Sequence, residues 1–175
     1  MWRRTITFLL SLLSMVMAEA TNHYFKHLGV SDGLSQVCIP SIYQDELGAV
    51  WLGTTEGLNR YNGKDVKVFQ PSESNHGLTN NEINELCGDK NGRMYIRSGN
   101  DLIKLDIYTE QFTCLRQKGV YGLFCKKDTL WVSCADGIYY YTGQGTELTF
   151  FARVQKGFVG RALYVDKETV WVVTR

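Results

Sequence analysis

The sequence has no excess of charge of either sign and is poor in histidine, proline and closely spaced cysteines. Its 175 residues carry 19 basic and 18 acidic side chains, which are interspersed and leave a net charge of +1. A chain with that balance has no basic field for nucleic acid or for an anionic membrane surface. We therefore expect no nucleic-acid partner.

The cysteines and histidines form no recognisable metal site. The five cysteines are odd in number and include no CxxC pair, which argues against zinc. Cys38, Cys87 and Cys125 lie in apolar, strand-like runs, where we expect buried free thiols that act as small hydrophobic side chains. On a strand, His23 and His27 would lie about 13 Å apart, so we expect surface histidines. No metal and no other cofactor is predicted.

A single long apolar run is present, and it lies at the N-terminus. Arg3 and Arg4 precede the apolar segment Ile6 to Ala18, and Ala18-Glu19-Ala20 fits the cleavage pattern of a secretory signal peptide. A transmembrane anchor is the alternative, but it needs an apolar run of roughly 20 residues. The pattern predicts a signal peptide over residues 1–20 and an exported, periplasmic chain over residues 21–175.

The rest of the chain contains an internal repeat. A shift of 44 residues lays residues 33–69 over residues 77–112, without a gap through most of that length. The matched pairs are Gly33 and Gly77, Leu34 and Leu78, Ile42 and Leu86, Asp45 and Asp89, Gly48 and Gly92, Trp51 and Tyr95, and Leu58 and Leu102. Such a recurrence indicates a repeat architecture.

An aromatic residue marks the same position of each unit. These four anchor aromatics are Trp51, Tyr95, Trp131 and Trp171, at separations of 44, 36 and 40 residues. We expect Trp51 to lie on an inner strand, where its large ring fills the space between neighbouring sheets. The four are predicted as structural anchors of the repeat. No catalytic residue is predicted, and the ligand-binding residues are not identifiable from the sequence.

Each unit resolves into short strands joined by tight turns. In the first unit, strands are predicted at Ile39 to Gln44, Val50 to Thr54, Leu58 to Tyr61 and Val66 to Phe69, with a hairpin signal at Asn62-Gly63. Four strands in about 40 residues are the signature of a β-propeller blade. The predicted fold class is all-β: a partial β-propeller of four-stranded antiparallel blades in an incomplete ring. A β-sandwich is the runner-up.

The glycines of the first unit have structural explanations. Gly57, Gly63 and Gly92 suit turn positions that require positive φ. A phosphate-binding interpretation of residues 53–57 fails, because neither a lysine nor a helix follows them.

The first unit also resembles a known repeat. The residues that carry the resemblance are Gly33-Leu34, Tyr43 to Asp45, Gly48, Trp51-Leu52-Gly53-Thr54 and Gly57 to Asn62. Together they resemble the two-component regulator propeller repeat. The second unit departs from that pattern, with Tyr-Ile-Arg-Ser at residues 95–98. The third and fourth units retain little beyond the aromatic and turn positions.

The resemblance implies a function as well as a fold. Proteins of this family are bacterial sensors whose exported propellers perceive a signal, often an oligosaccharide, and pass it to a histidine kinase. The partners that the resemblance implies are an oligosaccharide ligand and the remaining blades and kinase portion of a longer sensor. That longer sensor is expected to be a homodimer. The chain itself is then not an enzyme. The alternatives are a propeller enzyme, such as a polysaccharide lyase or a glycosidase, and a non-catalytic scaffold.

The strand count predicts a ring that does not close. A phenylalanine marks the outer strand of each unit: Phe25, Phe69, Phe112 and Phe151 lie at separations of 44, 43 and 39 residues. Residues 23–28 are therefore predicted as an outer strand. The last unit stops after its second strand. Because propellers typically have 4 to 8 blades, we expect a truncated gene product or a fragment of a longer sensor.

This expectation is testable with residues 21–175. An open array exposes a sheet edge and a blade face, so we expect association or poorly cooperative unfolding. Size-exclusion chromatography and circular dichroism measure both. A monodisperse monomer that melts cooperatively would count against the fragment hypothesis.

Overall fold

The structure, a computed structural model, describes residues 25–71, 77–153, 160–166 and 169–174. The predicted signal peptide and His23 lie outside the described residues. A 3-10 turn at Val30–Asp32 precedes β1 Ser41–Gln44, β2 Val50–Thr54, β3 Gly57–Tyr61, β4 Val66–Phe69, β5 Ile83–Gly88, β6 Arg93–Ser98, β7 Asp101–Asp106, β8 Gln111–Arg116, β9 Val120–Lys126, β10 Thr129–Cys134, β11 Gly137–Tyr141, β12 Thr149–Ala152, β13 Gly160–Asp166 and β14 Thr169–Thr174. In these ranges, no helix is long and apolar enough to cross a membrane.

The strands form successive antiparallel sheets, each ordered as in the sequence. Blade 1 is β1–β4, blade 2 is β5–β8, blade 3 is β9–β12, and β13 and β14 form the two-stranded blade 4. The first strand of each blade contacts the first strand of the next, so β1, β5, β9 and β13 are the inner strands. The all-β fold class and the four-stranded antiparallel blade are therefore confirmed, and the ring is open.

Turn chemistry sets the limits of the strands in blade 1. The Asn62 side-chain oxygen accepts hydrogen bonds from the Lys64 and Asp65 amides at 2.9 and 2.8 Å, which closes the predicted hairpin between β3 and β4. Gly63 adopts φ +96°, as predicted. Gly57 adopts φ +119°, and a Cβ there would lie 2.6 Å from the Phe69 carbonyl oxygen. Only glycine fits that turn without strain.

The first strand begins two residues later than predicted. Pro40 has no backbone N–H with which to join a ladder, and β1 starts at Ser41. Cys38 therefore lies before the strand and is exposed, so the buried-thiol interpretation is wrong for this residue. Cys87 and Cys125 lie on β5 and β9 and are half-buried.

Blades pack face to face through the second-strand aromatics. Trp51 is fully buried among blade 2 side chains that include Met94 and Ile96. Tyr95, at the same position of blade 2, is fully buried against blade 3 with Leu130 and Val132. Each ring therefore lies in the layer between its own blade and the next.

The exposure of each anchor aromatic depends on whether the next blade covers it. Trp131 faces the two-stranded blade 4 and is half-buried. Trp171 is 61% exposed, because no described strand lies over β14. Exposure on the face that points to the preceding blade also depends on a neighbour. Leu86 on β5 packs against blade 1 and is 9% exposed, whereas Ile42, at the same position of β1, is 63% exposed. Burial of each blade thus requires a neighbour on both sides.

A buried aspartate fixes the turn beside the first anchor. Asp45 is 4% exposed, and one of its carboxylate oxygens accepts the Leu47 and Ala49 amides at 3.0 and 2.8 Å. The other oxygen accepts the Trp51 indole N–H at 2.8 Å. Hydrogen bonds to a charged acceptor are among the stronger ones. The Asp and Trp of the repeat pattern therefore act together.

The N-terminal segment does not form the predicted outer strand. The described part of it, residues 25–28, has no strand pairing, and Phe25 is 97% exposed. An outer strand needs a third strand to pair with, and the described part of blade 4 ends at β14. The segment instead contacts blade 1, where Lys26 Nζ donates to the Tyr61 hydroxyl at 2.7 Å.

Truncating two tryptophans tests this account of burial. Trp51→Ala removes a fully buried ring and leaves Asp45 without its indole donor, so we expect a loss of about 3 to 5 kcal/mol in the free energy of unfolding. Trp171→Ala, the matched control on an exposed face, should cost less than about 1 kcal/mol. Urea titration followed by circular dichroism measures both. Equal losses would contradict interblade packing.

Candidate functional site

A polar cleft opens between blades 2 and 3, at the end where β6 turns into β7. Its volume is about 570 Å³. The residues that line it come from the segment leading into β5 and the start of that strand, the end of β6, the β6–β7 turn and the start of β9: Asn80, Glu82, Asn84, Arg97, Gly99, Asn100 and Tyr121. Loops at one end of a blade stack are a common place for ligand sites, because a rigid scaffold positions them.

Hydrogen bonds to backbone groups hold the rim of the cleft in place. The Ser98 hydroxyl bridges both backbone groups of Asn80, accepting from its amide at 2.9 Å and donating to its carbonyl at 2.8 Å. The Gly99 amide donates to the Glu82 carbonyl at 2.7 Å, and the Val120 amide donates to the Asn100 carbonyl at 3.0 Å. The loops are thus tied to both blades, which preorganises the lining side chains.

Arg97 forms the floor of the cleft. One guanidinium nitrogen donates to the Gly99 carbonyl at 3.1 Å, and the other pairs with the Glu85 carboxylate at 3.2 Å. Its Nε is buried, and no hydrogen-bond partner for it is found among the described residues. A buried donor without a partner costs free energy, so Arg97 retains hydrogen-bonding capacity at this position.

Glu85 connects the floor of the cleft to the next blade. Its second carboxylate oxygen accepts the Leu123 amide of β9 at 2.7 Å. In blade 1 the equivalent side chain is Ser41, whose hydroxyl accepts the Leu86 amide at 2.9 Å. Burial raises the pKa of Glu85, while Arg97 and the Leu123 amide act in the opposite direction.

The cleft exists because the tight interblade contact is interrupted here. Gly53 occupies the position of Arg97 in blade 1, and a Cβ on it would lie only 2.8 Å from Ile83 of blade 2. Blades 1 and 2 therefore close directly on each other at this level. Arg97 introduces a long side chain at the same level of blade 2, and its guanidinium meets Glu85 and the β6–β7 turn instead of packing flat.

The lining offers hydrogen-bond donors and acceptors together with one aromatic ring. Three asparagine side chains each carry two N–H donors and a carbonyl acceptor, and all three belong to the lining. Arg97 and Glu82 contribute one charge of each sign. Tyr121 is half-buried and adds an apolar ring with a polar tip. This composition suits a neutral ligand with many hydroxyl groups better than an ion.

The anchor aromatics do not line the cleft. These four residues lie on the second strand of each blade, at Trp51, Tyr95, Trp131 and Trp171, and none of them is among the residues that line the cleft. Sequence reasoning missed the cleft residues, because they do not recur. The signal that identifies them is the departure of residues 95–98 from the repeat, where arginine stands in place of glycine.

Metal chemistry receives no support from the described part of the chain. Within it, no group of three or more His, Cys, Asp or Glu side chains is arranged to hold a metal ion. Asp45 and Asp89 are buried and engaged in turn hydrogen bonds instead.

The raised pKa of Glu85 predicts a pH dependence of stability. The folded protein holds this proton more tightly than the unfolded chain does, so the contribution of Glu85 to stability falls as the pH rises from the ordinary pKa of glutamate through its folded pKa. Glu85→Gln keeps an acceptor for Leu123 but removes the titration. Its stability relative to wild type should rise across that window, by at most about 1.4 kcal/mol per pH unit.

The measurement is chemical denaturation at several pH values. Glu82→Gln, an exposed carboxylate at the rim of the same cleft, is the matched control. A difference between Glu85→Gln and wild type that stays constant with pH, or falls, would overturn the account of Glu85.

The solved structures that resemble this chain are propeller-type domains. The extracellular domain described as that of the hybrid two component system BT3049 from B. thetaiotaomicron is 23% identical, with a TM-score of 0.67 over 79% of this chain and 22% of that one. That of BT4673 from the same organism is 18% identical, with a TM-score of 0.65 over 86% of this chain and 21% of that one. The computationally designed Ika4 protein is 15% identical, with a TM-score of 0.59 over 86% of this chain and 99% of its own. These likenesses show the fold.

Two sequence comparisons each match a part of this chain. A curated protein named histidine kinase P4 from Formosa agariphila is 40% identical over 53 residues, which are 30% of this chain and 4% of that protein. The chain thus matches only a small part of the kinase and about a fifth of the two extracellular domains. The family described as two component regulator propeller matches residues 33–56. The resemblance seen in the sequence is therefore confirmed for residues 33–56, which match this family.

Proposed function

We propose that this chain is part of an exported sensory propeller, which binds a neutral oligosaccharide in the cleft between blades 2 and 3 without catalysing its conversion. The observation that carries the proposal is the lining of that cleft, with three amide side chains, one guanidinium, one carboxylate and one tyrosine ring. The propeller repeat at residues 33–56 and the kinship with extracellular domains of two-component systems support a sensory role.

The chemistry of the lining favours a sugar over other small ligands. A sugar hydroxyl both donates and accepts, and the asparagines and Glu82 provide matching groups around the rim. Pyranose rings also present apolar faces, which an aromatic side chain such as Tyr121 covers well. Arg97 is already paired with Glu85, and Glu82 is a further carboxylate at the rim, so a uronic-acid ligand would gain little over a neutral one.

A binding role fits this lining better than hydrolysis does. Most glycosidases use two carboxyl groups that flank the scissile bond. Among the lining residues that the structure describes, Glu82 is the single carboxylate, and nearby Glu85 is paired with Arg97 and bonded to the Leu123 amide. Incubation of the protein with an oligosaccharide that binds should therefore release no shorter product.

The position of the cleft suggests how binding is transmitted. Its walls belong to two blades that touch through inner strands and through the Glu85 to Leu123 hydrogen bond. A ligand that contacts Arg97 on one side and Tyr121 on the other would favour one spacing of these blades. The proposal places this chain in a longer sensor that has further blades and a histidine kinase and forms a homodimer. In that sensor, the change in blade spacing would be transmitted across the membrane to the kinase.

Tyr121→Ala tests the proposed binding. We expect wild-type protein to bind at least one short neutral oligosaccharide in isothermal titration calorimetry, and the variant to bind it at least about tenfold more weakly, because it loses the apolar stacking surface. Tyr108→Ala is the matched control, since Tyr108 is 63% exposed and lies in the β7–β8 turn at the opposite end of blade 2. Equal affinity of all three proteins would place the ligand elsewhere.

A further inference from the structure

Two cysteines face each other across the interface of blades 2 and 3. Side chains alternate along the inner strands, so Leu86 on β5 packs against blade 1, while the next residue, Cys87, packs into the layer shared with blade 3. Cys125 on β9 lines the same layer from the other side. Burial and, after it, the neighbouring Cys125 raise the pKa of the Cys87 thiol.

The equivalent positions of the preceding interface show that this contact is built into the repeat. Tyr43 pairs with Trp51 and Cys87 pairs with Tyr95, so Tyr43 and Cys87 are equivalent. Gly88 pairs with Met94 and Cys125 pairs with Leu130, one position before the anchor in each case, so Gly88 and Cys125 are also equivalent. Tyr43 lies directly on Gly88, where any Cβ would collide with the tyrosine hydroxyl.

The same two positions therefore meet at both interfaces, with different side chains. A large residue faces glycine between blades 1 and 2, whereas two small thiols share the space between blades 2 and 3. A disulfide needs Cβ atoms that approach closely from facing strands. The register places Cys87 and Cys125 at the two facing positions that touch between blades 1 and 2, and both pack into the same interblade layer.

We propose that Cys87 and Cys125 are a site of disulfide formation that covalently joins the inner strands of blades 2 and 3. The oxidant is a small-molecule or protein disulfide of the kind present in the periplasm, to which the chain is predicted to be exported. One thiolate attacks the oxidant disulfide and releases its first thiol. The second thiolate then attacks the mixed disulfide and displaces the other thiol. Two electrons pass from the cysteines to the oxidant, which leaves as two thiols that have taken up the two protons.

The cross-link would act on the same interface as the proposed ligand. It would fix the distance between the strands that flank the cleft, so the interface would no longer open freely. Burial raises the pKa of the Cys87 thiol, which makes the reaction faster at alkaline pH because thiolates are the attacking species. Cys38 and Cys114 are exposed and provide an internal comparison.

The experiment is a thiol map of the purified protein, first reduced with dithiothreitol, before and after treatment with oxidised glutathione at alkaline pH. We expect alkylation to find Cys87 and Cys125 free before treatment and protected after it. The molecule should lose about 2 Da for the bond, in addition to any glutathione on Cys38 or Cys114. Tryptic digestion should yield a peptide pair linked through residues 87 and 125, which dithiothreitol releases. The oxidised protein should also unfold at a higher temperature.

Variants separate this pairing from non-specific oxidation. Cys87→Ser and Cys125→Ser should each abolish the linked peptide and the gain in unfolding temperature, and Cys114→Ser, on the exposed outer strand β8, should keep both. The map of the wild-type protein decides the question even if a serine variant fails to fold. Cys87 and Cys125 that stay alkylatable after oxidation, or that link to other cysteines in the folded protein, would overturn the proposal. None of these readouts depends on a sugar ligand.

Discussion

Burial of the second-strand aromatic by the following blade is the interaction on which this structure depends. A four-stranded blade has two apolar faces and cannot cover either one alone. Trp51 and Tyr95 are fully buried because a complete blade lies over each. Burial of an aromatic side chain contributes several kcal/mol at about 25 cal/mol per Å². The stability of such an array is therefore mostly a sum of interface contributions between neighbours.

The candidate site arises where that packing changes. Where Gly53 lets blades 1 and 2 close on each other, Arg97 holds the equivalent level of blade 2 apart from blade 3 and pairs with Glu85. The cleft, the buried guanidinium and the Glu85 bridge all follow from that one difference between units. The thiol pair lies in the same interface, where two small side chains replace the tyrosine and glycine of the preceding one. Regular positions of the repeat thus stabilise the stack, whereas the candidate site and the thiol pair lie at irregular positions.

Much of the fold could be predicted from the sequence, because turns and alternation are local properties. β2 and β4 lie at the predicted residues, and the glycine turns have the expected positive φ. The failures have tertiary causes. Cys38 is exposed because Pro40 delays β1, and the segment around Phe25 has no described third strand to pair with. The cleft could not be predicted, since its residues come from four separate segments and none of them recurs in register.

Amide hydrogen exchange, followed by mass spectrometry, tests the central claim most directly. If each blade is stabilised by the one that covers it, β2 and β6 should exchange most slowly, β10 at an intermediate rate, and β14 fastest, in parallel with the exposure of Trp51, Tyr95, Trp131 and Trp171. An equal rate in all four strands, or slowest exchange in β14, would contradict the claim that the next blade provides the stability of each.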